Sequence, residues 1–316
     1  MELNQAAELL SAIKQNINKV IVGREATVEM LLTALCCGGH VLLEDVPGTG
    51  KTVLAKSLAR SLDGEFHRIQ FTPDLLPSDV TGLNYYNQKA GEFVFRPGPV
   101  FGNILLADEI NRATPRTQSS LLECMEERQV TMDGVTRKLP APFLVIATQN
   151  PIETVGTFPL PEAQLDRFYM MLSMGLPNHD EEIAILERFM RDDPLEELQP
   201  VCGGKQLLEL QEMRKTIYVH PVMLEYMVEL IQGTRKKGTV SGVSPRGSLA
   251  LLNAVRAYAM LQGRNYVTPE DVKKLLVPVL SHRISMDHGS LDRRSGEQLL
   301  LGLLEHTPVP TERFER

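Results

Sequence analysis

Four short stretches of this sequence carry side chains suited to phosphate chemistry. The first is PGTGKT at 47–52. Gly48 and Gly50 let the backbone turn tightly, so that successive N–H groups point inward at phosphate oxygens. Lys51 supplies positive charge at the β and γ phosphates, and Thr52 a hydroxyl ligand for Mg²⁺. The nucleotide-binding stretch thus covers Pro47, Gly48, Thr49, Gly50, Lys51, Thr52 and Val53. The full pattern, G-x-x-x-x-G-K-[ST], asks for a further glycine where this chain has Asp45. An acid is an odd neighbour for a triphosphate. Asp tolerates turn geometry, however, and its carboxylate can point away from the phosphates or cap nearby N–H groups. The bland alternative is an ordinary glycine-rich turn between a strand and a helix.

The other three stretches supply complementary groups. NILLADE (103–109) is an apolar run ending in two acids. Asp108 would hold Mg²⁺, partly through water, because hard cations prefer oxygen ligands. Glu109 is the candidate base for the attacking water. FLVIATQN (143–150) ends in Asn150, whose amide can hydrogen-bond that water or the γ-phosphate without adding charge. Taken alone, Asn150 before Pro151 is a turn residue. Last come Arg167 in LPEAQLDRF and Arg246 in VSPRGSLALL. Phosphoryl transfer gains from an arginine that neutralises developing charge, supplied in cis or in trans. Arg246 could close onto its own chain's nucleotide, and Arg167 could reach a neighbour's in a ring. The alternative for each is a surface ion pair, for Arg167 with Asp166 or Glu162.

These residues need a frame that converges them. HVLLE (40–44) reads as a buried parallel strand, and KTVLAKSLARSL after the loop has helical spacing. EFHRIQF (65–71) is β-like, and helical patterns cover 5–20, 25–37 and 114–127, the last with Thr114 as cap and Pro115 at the first position. GEFVFRPGPVF (91–101) reads as part of a hairpin with Gly91 near its tip, and QVTMDGVTRKL (129–139) as a second with an Asp133-Gly134 turn. Strands alternating with helices predict a parallel α/β sheet covered on both faces. Its chemistry-bearing residues fall at the C-terminal ends of three strands, where such sheets bind ligands. Beyond Leu176-Pro177-Asn178 the periodicity is helical, over 180–191, 205–214, 220–232, 245–262, the stretch after Thr268, and 298–304. The expected division is an α/β nucleotide domain over 1–178 and a smaller all-helical domain over 179–316.

Bulk properties bound the reading. A chain of 316 residues fits about two domains. Its net charge of -7 argues mildly against an extended nucleic-acid surface. None of Cys36, Cys37, Cys124 and Cys202 forms a C-x-x-C pair, so zinc is not expected; adjacent Cys36 and Cys37 read as small core residues in a reducing compartment. The N-terminus is amphipathic and carries acids, unlike a secretory signal, and no apolar run is long enough to span a bilayer. The expectation is a cytoplasmic protein.

Together, VPGTGKT, LLADEINR, ATQNP, LPEAQLDRF and SPRG, in this order and spacing, closely resemble the MoxR family of AAA+ ATPases. The resemblance runs from about residue 15 to near the C-terminus, and LPEAQLDRF with ADEINRA is specific to that family. It implies a P-loop NTPase domain, a helical lid, ATP and Mg²⁺ as ligands, and a hexameric ring. By motif position Lys51 and Thr52 correspond to Walker A, Asp108 and Glu109 to Walker B, Asn150 to sensor 1, Arg167 to the arginine finger and Arg246 to sensor 2. Ile21, Val22 and Gly23 match the stretch that packs on the base. The hairpins near 85–100 and 129–140 resemble the helix-2 and pre-sensor-1 inserts. Members of the family are thought to remodel protein complexes, often with a von Willebrand factor A domain partner.

Two other function classes would use parts of the same sequence. A DNA-directed motor would use Arg235-Lys236-Lys237 and Arg137-Lys138 on phosphate backbone, yet solvated loop charge explains those runs as well in an acidic chain. A scaffold that binds nucleotide without turnover would not need Lys51, Asp108, Glu109 and Arg167 together. A GTPase switch is disfavoured because no N-K-x-D motif occurs.

Overall fold

The computed structural model describes residues 1–89, 91–151, 155–190, 193–236, 239–286 and 293–310. At its centre is a five-stranded sheet built from β1 (Val41–Glu44), β2 (Phe66–Gln70), β5 (Ile104–Asp108), β8 (Leu144–Gln149) and β9 (Met170–Leu172). The strand order is β2-β5-β8-β1-β9, and every pairing is parallel. Two antiparallel hairpins stand outside it, β3 (Gly82–Asn87) with β4 (Glu92–Pro97) and β6 (Gln129–Met132) with β7 (Val135–Lys138).

Strand alternation explains the burial. Leu43, Ile104, Leu106, Leu144 and Ile146 enter one core cluster, while Leu42, Leu105, Ala107, Val145 and Ala147 enter the other. A sheet covered on both faces needs such continuous apolar strands. The first face is covered by α1 (Leu3–Asn18), α2 (Glu25–Cys36) and α3 (Lys51–Ser61), and the second by the short α4 (Pro77–Thr81) and α5 (Pro115–Glu127). Cys36 is fully buried, and Cys37 packs against the same core.

Past the brief α6 (Glu162–Leu165), the chain continues as α7 (His179–Arg188), α8 (Gly204–Met213), α9 (Pro221–Gly233), α10 (Pro245–Leu261), α11 (Pro269–Leu280) and α12 (Arg293–His306). The expected helical character holds, with one addition: a ribbon of β10 (Thr239–Ser241) and β11 (Ser285–Met286). Helices α8 to α12 share the first core with α1 and α2. Tyr169 donates to Ala250 O at 2.6 Å, Arg214 to Cys36 O at 2.9 Å, and Lys274 Nζ meets Glu29 Oε2 at 2.8 Å. Helix α10 is docked on α1 and α2 by apolar packing, and its Tyr258 hydroxyl donates to Glu29 Oε2 on α2 at 3.3 Å.

Three local expectations change. The strand β9 was not expected, because MML between Tyr169 and Ser173 lacks a turn signal on either side. Thr114 precedes α5 as expected but makes no side-chain cap; its hydroxyl meets that of Thr117 at 3.3 Å. The helix expected over 180–191 ends at Arg188, and residue 191 and Lys237 of the basic run lie outside the described residues.

Candidate nucleotide site

The loop after β1 turns through two left-handed residues, Gly48 at φ 87° and Gly50 at φ 88°. Added Cβ atoms would meet nothing within 4 Å at Gly48, so it is the backbone angle and not space that calls for glycine there. The turn delivers the N-terminus of α3, which starts at Lys51, to a cleft of about 430 Å³. Pro47, Gly48, Gly50, Lys51 and Thr52 line it from this side. Lys51 Nζ donates to the carbonyls of Asp45 at 2.8 Å and Val46 at 3.1 Å. Burial draws the Lys51 ammonium below its ordinary range, opposed by the charges of Asp45, Asp108 and Glu109.

Asp45 turns its carboxylate the other way. It accepts hydrogen bonds from Ser173 Oγ at 2.6 Å, Met174 N at 2.6 Å and Gly175 N at 3.1 Å. The residue in the place of the missing glycine thus ties the loop to the chain leaving β9, with its charge satisfied by that segment.

The acids at the end of β5 face the loop. Asp108 Oδ1 accepts from Thr148 Oγ1 at 2.6 Å, and Oδ2 from Arg68 Nη2 at 2.7 Å. Glu109 takes a left-handed φ of 55°, uncommon for a residue with a side chain. Its N–H donates to the same Thr148 hydroxyl at 2.9 Å, so one side chain on β8 orients both acids. Glu109 Oε2 accepts from Gln70 Nε2 at 2.8 Å and pairs with Arg112 Nε at 3.1 Å. Asn150 at the end of β8 is buried and lines the same cleft. The structure therefore brings together Lys51, Thr52, Asp108, Glu109 and Asn150, from three strand ends.

Ile21, Val22 and Gly23, expected to pack on the base, are not among the residues that line the cleft. Gly23 has φ 67°, and a Cβ there would collide with the carboxylate of Glu181 on α7. Arg24 pairs with Glu181 at 3.0 Å, and Arg188 donates to Ile21 O at 3.2 Å. Val53 packs against Val20, Leu195 and Leu198. Ile21 and Gly23 thus lie against α7, while the preceding Val20 packs on Val53 at the start of α3.

Arg167 and Arg246 do not line the cleft. Instead they share one carboxylate: Arg167 Nη1 lies 3.0 Å from Glu126 Oε2, and Arg246 Nη1 lies 3.1 Å from Glu126 Oε1. Arg167 also donates to Leu122 O at 3.1 Å. Asp166 holds Arg283 at 2.6 Å, with Arg246 at 3.8 Å. The partner of Arg167 is Glu126 on α5 rather than its sequence neighbours Asp166 or Glu162.

Comparison with known proteins fits this geometry. A family model described as "ATPase family associated with various cellular activities (AAA)" matches residues 40–170, and one described as "AAA lid domain" matches 235–300. The chain is 48% identical over 307 residues to the uncharacterized protein YeaC of Bacillus subtilis, covering 96% of each. It is 43% identical to Chaperone MoxR1 of Mycobacterium tuberculosis over 305 residues, covering 93% of this chain and 80% of the relative. Protein MoxR of Paracoccus denitrificans is 33% identical, at 93% and 94% coverage. The chain belongs to the MoxR family of AAA+ ATPases. A crystal structure of a Cytophaga hutchinsonii protein, described as a candidate ATPase, superposes with TM-score 0.89 at 36% identity, covering 98% of this chain and 97% of that one. The fold is accordingly the α/β P-loop NTPase fold with a helical lid.

Four polar residues of this MoxR-family cleft escaped the sequence reading: Arg68, Gln70, Thr148 and Gln149. Arg68 and Gln70 share one face of β2, as residues two apart in a strand must. Their alternation with Ile69 in EFHRIQF was the available signal. Thr148 gave no signal inside an apolar run.

Proposed function

We propose that this MoxR-family chain hydrolyses ATP with Mg²⁺ as an oligomeric, hexameric ring and uses the energy to remodel protein complexes. The observation that carries the hydrolytic part is the convergence of Lys51, Asp108 and Glu109 on one cleft. The Asp108 carboxylate and Thr52 hydroxyl are hard oxygen donors of the kind Mg²⁺ prefers, so the donor set fits that ion. Bound there, Mg²⁺ would neutralise charge on the phosphate oxygens.

In this reading the loop N–H groups from Pro47 to Thr52 hold the phosphates, and Lys51 swings from the Asp45 and Val46 carbonyls onto them. Glu109 accepts a proton from water as its oxygen bonds to the γ-phosphorus and the bond to the ADP oxygen breaks. Asn150 orients that water. Ile21, Val22, Gly23 and Val53 flank the base. Arg167 acts on the nucleotide of the neighbouring subunit, and Arg246, expected to close onto its own chain's nucleotide, is instead assigned to act beside it, a reading supported by their shared grip on Glu126 outside their own cleft.

The remodelling part is supported by the 43% identity to a relative named Chaperone MoxR1. A von Willebrand factor A domain protein as partner and a cytoplasmic location complete the proposal. So does a division into a nucleotide domain over 1–178 and a lid over 179–316, supported by family matches at 40–170 and 235–300.

The test is Glu109→Gln. The variant is expected to bind ATP normally, to lose turnover by 10²-fold or more, roughly the share of a general base, and to trap partner proteins in an ATP-dependent pull-down. Turnover at the wild-type rate would sink the base assignment.

A further inference from the structure

Arg68 belongs to none of the roles assigned so far, yet it touches the residues that matter most. Its guanidinium meets Asp108 Oδ2 through Nη2 at 2.7 Å and through Nε at 3.3 Å. The same Nη2 donates to Gln70 Oε1 at 3.0 Å. Gln70 presents its other end, Nε2, to Glu109 Oε2 at 2.8 Å. One arginine thus holds the metal carboxylate directly and the candidate base through an amide.

The contact is competitive by geometry. Asp108 Oδ1 is engaged by the Thr148 hydroxyl, so Oδ2 is the oxygen toward which an approaching cation must compete with Arg68. The Arg68 side chain is half exposed, with room to leave, whereas Thr148 is buried. Resting on the placement of Mg²⁺ at Asp108, we infer that Arg68 is the counter-ion that Asp108 exchanges for the divalent metal, and that its release also frees Gln70 and so the position of Glu109. Arg68 is a positioning residue: it keeps the Asp108 carboxylate neutralised and lowers the affinity of the site for metal until nucleotide phosphates contribute to binding.

The probe is Mn²⁺ alone, titrated into the full-length, nucleotide-free protein and followed by the EPR signal of free Mn²⁺. Arg68→Ala is expected to bind Mn²⁺ about tenfold more tightly than wild type, a change of the size that second-layer partners of metal ligands produce. Arg68→Lys, which keeps the charge but loses the fork, is expected to fall between the two. Gln70→Ala removes the amide but not the counter-ion, and is expected to leave Mn²⁺ affinity at the wild-type value. Equal affinity in wild type and Arg68→Ala, with Asp108→Asn binding more weakly than both, would overturn the exchange while leaving the metal at Asp108. Unchanged binding in Asp108→Asn would overturn the metal placement and the inference with it. A Gln70→Ala shift as large as that of Arg68→Ala would overturn the counter-ion account, because the effect would then follow the amide and not the charge.

Discussion

Ser173 Oγ lies 2.6 Å from Asp45 Oδ1, and this contact explains how an acid can stand at the edge of a phosphate loop. Asp45 is only 6% exposed, and its carboxylate faces the segment after β9, where Met174 and Gly175 add two backbone donors. A carboxylate that accepts three hydrogen bonds in this way is satisfied without the loop's own N–H groups, which stay free to face phosphate. The departure from the usual motif is therefore a link between the loop and the strand at the edge of the sheet.

It follows that Asp45→Gly, which restores the standard glycine, is a destabilising change. It strands the buried Met174 N–H, at a cost of about 2 kcal/mol. Urea unfolding is expected to show that loss, while the affinity for a fluorescent ADP analogue stays within roughly threefold, since the cradle is built by backbone. A large loss of nucleotide affinity at unchanged stability would show that Asp45 serves the ligand instead.

Much of this arrangement was legible in the sequence because it depends on short-range patterns. Strands β1, β5 and β8 are apolar runs of four to six residues that each end in a polar group, and the expected turn at Asp133-Gly134 forms with φ of 51° and 76°. What was illegible depends on chain pairing over long distances. Thr148 lies 40 residues from Asp108, and only the β5–β8 register sets its hydroxyl between Asp108 and the Glu109 amide. The meeting of Arg167 with Arg246 requires α10 to be docked on α1 and α2, which periodicity alone does not specify. Strand β9 went unread because three apolar residues carry too little pattern to distinguish a strand from the end of a helix.

The second prediction concerns acid. His40 sits at the base of β1 with both ring nitrogens committed: Nδ1 accepts from Val145 N at 2.9 Å, so the proton is on Nε2, which donates to Met125 O at 3.1 Å. Burial, and then the nearby Arg128 charge, hold its pKa well below the ordinary histidine value of 6.5. A depressed histidine is neutral in the folded chain and takes up a proton only on unfolding. Its contribution is fully present above pH 6.5 and declines as pH falls below that value, by about 1.4 kcal/mol per pH unit. Denaturant titrations between pH 7 and pH 5 should show this slope in wild type, and a shallower one in His40→Asn. Parallel slopes would mean that other groups dominate the acid sensitivity.

The third prediction separates the two arginines from the cleft of their own chain. Helix α10 is tied to the body by Tyr169 to Ala250 O and by Tyr258 Oη to Glu29 Oε2, so Arg246 stays beside Arg167 on the Glu126 carboxylate. If both act on a neighbour's nucleotide, Arg167→Ala and Arg246→Ala should each bind nucleotide normally yet lose turnover by about 10³-fold, within the range for an arginine supplied in trans. Neither should recover when mixed with the other, because both lack a group of the same composite face. Mixing either with Lys51→Ala should restore part of the activity, since a Lys51→Ala subunit still offers its arginines to an intact cleft next door. Light scattering on the same samples would establish that mixed oligomers have formed. In such oligomers, continued silence with Lys51→Ala would refute the in-trans assignment. Recovery on mixing Arg167→Ala with Arg246→Ala would show instead that the two arginines serve different nucleotides.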